Sequence, residues 1–149
     1  MLRALFPVVL SVGVSVCVGS DALAAGGVVH ANENDPGSAI DLKKYLSKNE
    51  STLLFIHSPH CGPCRRISPK IDALAKKKAD LKIVDVILDS KKAHGIGWDS
   101  AAAKQFDIHS VPQFIVYDKN GQLKMSGDKA EDEVDAWLVE YKLKKPGKD

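Results

Sequence analysis

Two cysteines stand three positions apart in the segment His60-Cys61-Gly62-Pro63-Cys64. A thiol reacts as its thiolate, and a helix N-terminus acidifies a thiol because its unpaired N–H groups and dipole favour negative charge. The stretch from Cys61 to Lys78 carries Ile67, Ile71, Leu74 and Ala75 at helical spacing, with Pro63 in the first turn, where a missing N–H does no harm. Cys61 therefore opens a helix. Cys-x-x-Cys across a first turn brings the second sulfur within bonding reach, so Cys61 can attack a disulfide and Cys64 can resolve the mixed disulfide that results.

The same spacing also occurs in half a zinc site and in haem attachment. The chain has no second Cys-x-x-Cys, and Arg65 stands where haem attachment requires His. His57 and His60 lie near the thiols, but His57 is expected on a strand and the cysteines on the next helix, without a ligand knuckle. No metal and no cofactor is expected. The third cysteine, Cys17, lies in an apolar run from Leu5 to Gly19 that follows Arg3 and precedes Ala22-Leu23-Ala24. That is the pattern of a secretory signal, and it is short for a span needing roughly 20 apolar residues. Residues 1–24 are expected to be cleaved; retention as an anchor, or lipidation of Cys17 behind the bulky Val16, are the weaker alternatives. Cleavage leaves two vicinal cysteines in an oxidising compartment, too local to staple a fold, so they are expected to do chemistry. The C-terminus is no endoplasmic-reticulum retention signal, which favours a bacterial periplasm.

The elements that position the thiols follow from periodicity. Residues 25–37, rich in Gly and Asn with an Asp35-Pro36-Gly37 turn, read as a flexible leader. Ser38 and Asp41 make a capping-box-like start for a helix through Lys48. Thr52 to His57 is a short apolar run suited to a strand buried on both faces, and the helix after it contains Pro69, which is expected to kink it. Leu81 to Leu88 is a second buried strand, followed by a loop from Lys91 to Trp98 and a short helix from Asp99 through Phe106. Gln113 to Tyr117 and Gln122 to Met125 flank Asp118-Lys119-Asn120-Gly121, a hairpin signal. A helix from about Lys129 to Leu143 places Val134, Trp137, Leu138 and Tyr141 on one face. This α/β order implies a small mixed β-sheet flanked by helices, in a single domain over 38–145. With 149 residues, 44% of them hydrophobic, and a net charge of +2 from interspersed acids and bases, the chain offers one ordinary core and no concentrated basic face, so nucleic acid is not an expected partner.

Cys61-Gly62-Pro63-Cys64 after a hydrophobic strand resembles the active site of thioredoxin, and the likeness extends over about Ser38 to Leu143. Pro69 matches that family's helix-kinking proline, Val111-Pro112 its cis-proline site, and Gly121 and Gly127 its terminal hairpin. The resemblance implies the thioredoxin fold, a cis Pro112 beside Cys61, and a Val111 backbone exposed for strand-like pairing with a substrate peptide. An ordinary edge-strand proline is the plainer reading of Pro112. Departures are equally specific. Where thioredoxins carry Trp before the first cysteine, this chain has His60; where they carry a buried acid on the preceding strand, it has Phe55. Asp85, inside the next apolar run, is a candidate replacement as proton acceptor for Cys64, against the alternative that it lies near a strand end or faces solvent. His60 either stabilises the Cys61 thiolate when protonated or replaces an aromatic contact surface. Trp98 either contacts substrate or covers the core.

The expected function is therefore thiol–disulfide exchange with protein substrates in the periplasm, by a monomer. The Gly-Pro dipeptide resembles that of the reducing members of the family and favours a reductase supplied by a membrane thiol electron donor. Disulfide oxidase or isomerase is the nearest rival. A metal-carrying or chaperone module using Cys61, Cys64 and His60 is the rival from another class.

Overall fold

The computed structural model describes residues 27–91 and 94–147. The expected signal segment, with Cys17, lies outside them. Strands β1 (Val28–His30), β2 (Ser51–His57), β3 (Leu81–Ile87), β4 (Gln113–Tyr117) and β5 (Leu123–Ser126) form one mixed sheet in the order β1-β3-β2-β4-β5. Pairing is parallel for β1–β3 and β2–β3, antiparallel for β2–β4 and β4–β5. Helices α1 (Gly62–Lys77), α2 (Ala101–Phe106) and α3 (Asp128–Glu140) cover it.

The apolar run in β2 makes it the central strand. Leu53 and Phe55 face one layer with Ile71 and Leu74 of α1 and Val134 and Leu138 of α3. Leu54 and Ile56 face the other, with Val84, Val86 and Ala102 and Ala103 of α2. A strand filling two cores has no polar face to alternate, which is why its sequence reads as continuous hydrophobicity.

Two stretches differ from the sequence expectation. The capping-box-like segment after Ser38 forms only a 3-10 turn at Leu42–Lys44: Asp41 makes no side-chain cap, and none of the three residues of the turn is fully buried. The stretch read as a leader contains β1, and Asn32 beyond it is buried. Its amide donates to the carbonyls of Ser38 and Ile87 at 3.1 and 2.8 Å and accepts from the Ile87 N–H at 2.9 Å. A three-residue edge strand carries too short a pattern to read; parallel pairing with β3 holds it, and Asn32 extends that pairing with its side chain. The last helix runs Asp128–Glu140, and α2 is capped by Ser100 rather than Asp99, its hydroxyl accepting from the Ala103 N–H at 3.1 Å. Among the described residues no helix is long and apolar enough to cross a membrane.

Candidate redox site

β2 ends at His57, and the chain turns through Ser58, Pro59 and His60 into α1. The turn is built on Ser58, which is fully buried. Its carbonyl accepts from the Cys61 N–H at 3.1 Å, and its hydroxyl accepts from the His60 N–H at 3.0 Å while donating to Asp89 at 2.6 Å. The other Asp89 oxygen accepts from the Gly97 N–H at 2.8 Å. Asp89 and Ser58 thus tie the turn before Cys61 to the loop after β3. Sequence reading passed over both; an acid at the end of a buried strand is the signal that would have found them.

Cys61 is the N-cap of α1, and its sulfur accepts from the Cys64 N–H at 3.2 Å. Gly62 and Pro63 fill the first turn, Pro63 at a position that needs no N–H. The two cysteines are joined as a disulfide; Cys64 is fully buried and Cys61 nearly so. Val111-Pro112 is a cis peptide, and the Val111 carbonyl lies 3.5 Å from the Cys61 sulfur. A groove beside Pro63 and Pro112 is floored by Ile67 and Leu138 and flanked by Arg66 and Glu131. The site therefore has a sulfur held at a helix N-terminus, a second sulfur bonded to it, and backbone within reach of an incoming chain. That is the machinery of thiol–disulfide exchange.

His60 is exposed, at the rim of the turn. Asp85 is mid-strand and buried, so the alternative of a strand end or solvent-facing acid fails. In the β2–β3 register it stands opposite Phe55, which stacks on His57 with centroids 4.7 Å apart and on Phe114 at 5.5 Å. Asp85 is flanked by two imidazoles that sequence reading did not connect with it. Its Oδ2 lies 2.8 Å from His30 Nδ1 on β1, and its Oδ1 lies 2.6 Å from His57 Nε2, a pairing of buried atoms that is electrostatic rather than an aligned hydrogen bond. The Asp85 hydrogen bond raises the pKa of His30 above its ordinary value against the opposing effect of burial, with Glu33 and Asp72 adding to the rise. Parallel register alone brings His30 to Asp85, 55 residues away, and no local pattern announces it. Among the described residues no three His, Cys, Asp or Glu side chains are grouped as metal ligands.

A family model described as a thioredoxin-like domain matches residues 39–142. The chain belongs to the thioredoxin-like family. Its disulfide-bonded Cys61–Cys64 pair, at the N-terminus of α1, is a thiol–disulfide oxidoreductase centre. It is similar to the M-type chloroplastic thioredoxin of Spinacia oleracea, 41% identical over 56% of this chain and 42% of that one. It is also similar to a thioredoxin of Haemophilus influenzae, 32% identical over 64% of this chain and 78% of the relative. Thus the chain spans less than half of the spinach relative and about three quarters of the bacterial one. Among solved structures, oxidised thioredoxin O1 from Arabidopsis thaliana superposes with a TM-score of 0.54 at 23% identity, covering 76% of this chain and 96% of that one. Thioredoxin f from spinach chloroplast (long form) gives 0.55 at 19% identity over 78% and 88%. These two likenesses concern the fold.

Proposed function

We propose that this thioredoxin-like chain is an exported protein-disulfide reductase, in which Cys61 attacks a client disulfide, Cys64 resolves the mixed disulfide, and a membrane-bound dithiol restores the reduced pair. The observation that supports the direction is the setting of the Cys61 sulfur, which among the described residues accepts one hydrogen bond, from the Cys64 N–H at 3.2 Å. A strong oxidant of this fold owes its potential to a heavily stabilised thiolate, whereas a thiolate held by a helix end alone leaves the dithiol reducing. The Gly62-Pro63 dipeptide agrees with that direction. Val111 supplies the backbone that pairs with the client beside Cys61, with Pro112 shaping the approach. Export rests on the apolar segment after Arg3 and on a pair of cysteines suited to an oxidising compartment.

The equilibrium potential of the Cys61–Cys64 pair, measured by thiol trapping across redox buffers, tests the direction. Reducing thioredoxins lie near about −270 mV and the strongest oxidants of the fold near about −120 mV. A value at the reducing end is expected; one at the oxidising end reverses the assignment to oxidase. Fusion of residues 1–30 to a reporter active only outside the cytoplasm tests export, and a reporter that stays inside defeats that part.

A further inference from the structure

The His57–Asp85–His30 array takes no part in the exchange chemistry described so far, and we propose that it is a proton relay for Cys64. In this relay His57 takes the proton Cys64 loses on attacking the mixed disulfide, and Asp85 and His30 connect it to solvent. The inference deepens the exchange reading above and rests on it.

Placement is the first support. Cys64, Ile67, Ile71 and Leu74 repeat at helical spacing along α1, and Ile67, Ile71 and Leu74 pack in the same cluster as Phe55 of β2. Phe55 and His57 project from one side of β2, and Asp85 is the register partner of Phe55 on β3. The stripe that begins with Cys64 thus lies over the sheet face carrying His57 and Asp85, at the end of β2 from which α1 starts.

Burial is the second. Cys64 has no exposure, so its proton cannot pass directly to bulk water. Asp85 is buried too, whereas the His30 side chain is 49% exposed and the His57 side chain 15%. Through contacts of 2.6 and 2.8 Å on opposite oxygens of one carboxylate, the array leads from a closed interior to an open sheet edge. A buried acid between two imidazoles needs only small ring movements to hand a proton along.

The step balances. After Cys61 has formed a mixed disulfide with the client, the Cys64 S–H bond breaks, its proton goes to His57 Nδ1, and its sulfur bonds to the Cys61 sulfur. The bond between Cys61 and the client sulfur breaks, and the client leaves as thiolate with the electron pair and takes a proton from solvent. The client disulfide is reduced, the Cys61–Cys64 pair is oxidised, and His57 discharges through Asp85 and His30.

The charged groups facing His30 are Asp85 from β3, Glu33 from the following turn and Asp72 from α1. Those facing Asp85 are the two imidazoles. Asp85 thus stands between His30, whose pKa it raises, and His57, the ring at the end of β2 from which α1 starts. Removing His30 leaves the Asp85 carboxylate facing His57 alone, and a carboxylate that close favours an imidazolium. Removing the Asp85 charge does the reverse.

The test is the single-turnover rate at which the reduced protein loses thiols to insulin disulfides, followed by trapping from pH 5 to pH 8.5, in wild type, His30→Gln and Asp85→Asn. Cys61 is common to all three, so a difference between them reports the relay. The acid limb is expected to move to higher pH in His30→Gln and to lower pH in Asp85→Asn, with the latter slowed about tenfold at pH 7, a part of the roughly 10²–10⁴-fold that a positioned base contributes. A structural role for the array would slow the variants without opposite displacements. Coincident acid limbs overturn the relay while leaving the exchange reading intact, and a wild-type protein inert towards insulin at every pH overturns both. Should Asp85→Asn not fold, the displacement in His30→Gln, a change at a half-exposed edge position, decides the matter alone.

Discussion

Gly97 is the position where a single added carbon should do most damage. A Cβ built there lies 2.2 Å from the Leu88 carbonyl oxygen, 3.0 Å from its carbon and 3.2 Å from Asp89 Cα. All three neighbours are backbone at the end of β3, so no side chain can swing aside. The loop must move by about an ångström, at the usual overpacking cost of about 1–3 kcal/mol. Such a shift also pulls the Gly97 N–H from the buried Asp89 carboxylate it reaches at 2.8 Å, a charge-assisted bond whose loss costs about 1.5–3 kcal/mol. Gly97→Ala should therefore lose about 3–5 kcal/mol, which at a urea slope of about 2 kcal/mol/M lowers the unfolding midpoint by about 2 M. Because Asp89 also holds Ser58, and Ser58 holds the turn before Cys61, the variant should show a changed rate of Cys61 alkylation even where it remains folded. A midpoint within about 0.5 M of wild type would refute the argument, since the loop would then have room that the structure denies it.

Cys64→Ser should accumulate a mixed disulfide between Cys61 and a client, seen as a thiol-sensitive high-mass band on non-reducing gels; Cys61→Ser should give none, and its appearance there would exchange the two roles. His30 has a raised pKa, so the stability it contributes is fully present below about 6.5, its ordinary value, and is lost as pH rises through the higher folded value. His30→Gln should accordingly flatten the part of the stability profile that falls as pH rises above about 6.5, and urea midpoints that decline equally in both proteins would contradict this. Asn32→Ala removes three buried hydrogen bonds to the Ser38 and Ile87 backbone and should cost about 2–4 kcal/mol by urea titration. Leu138→Ala, a fully buried side chain between α3 and the sheet, should cost about 2–5 kcal/mol by the same assay.

Most of the fold could be read from the chain because its strands and helices speak locally. β2 and β3 are apolar runs bounded by turns, α1 and α3 carry helical stripes, and the Asn120-Gly121 turn marks the hairpin, with Gly121 at a φ of 74° that favours glycine. The cysteines could be read for the same reason, since the motif and its helix are contiguous. What could not be read depends on pairing between distant segments. His30 gains meaning only because β1 lies beside β3, and His57 only because β2 lies on its other side. Asp85 was conspicuous as a charge in an apolar run, but its partners were not. The 3-10 turn at Leu42–Lys44 is the opposite failure: a local signal for a helix was present, but Asp41 supplies no cap and only Ile40, Leu42 and Tyr45 reach the core.

The register of β2 also bears on when this molecule can fold. Leu54 pairs with Val84 on one side and with Ile115 on the other, so the strand at the centre of the sheet waits for partners 30 and 61 positions further along. Contacts at such separations require the closure entropy of long loops to be met before they repay it. A chain that has emerged only as far as Asp89 offers β2 a single neighbour and leaves the Phe55 side of the sheet without Phe114, Val134 and Leu138. Until Tyr117 is available the unit of β2, α1 and β3 can pair and pack, but β2 has one of its two strand neighbours and its core is half complete. For a protein proposed to cross a membrane before it works, completion of the sheet is thereby reserved for the stage at which the whole chain through β4 and α3 is on one side.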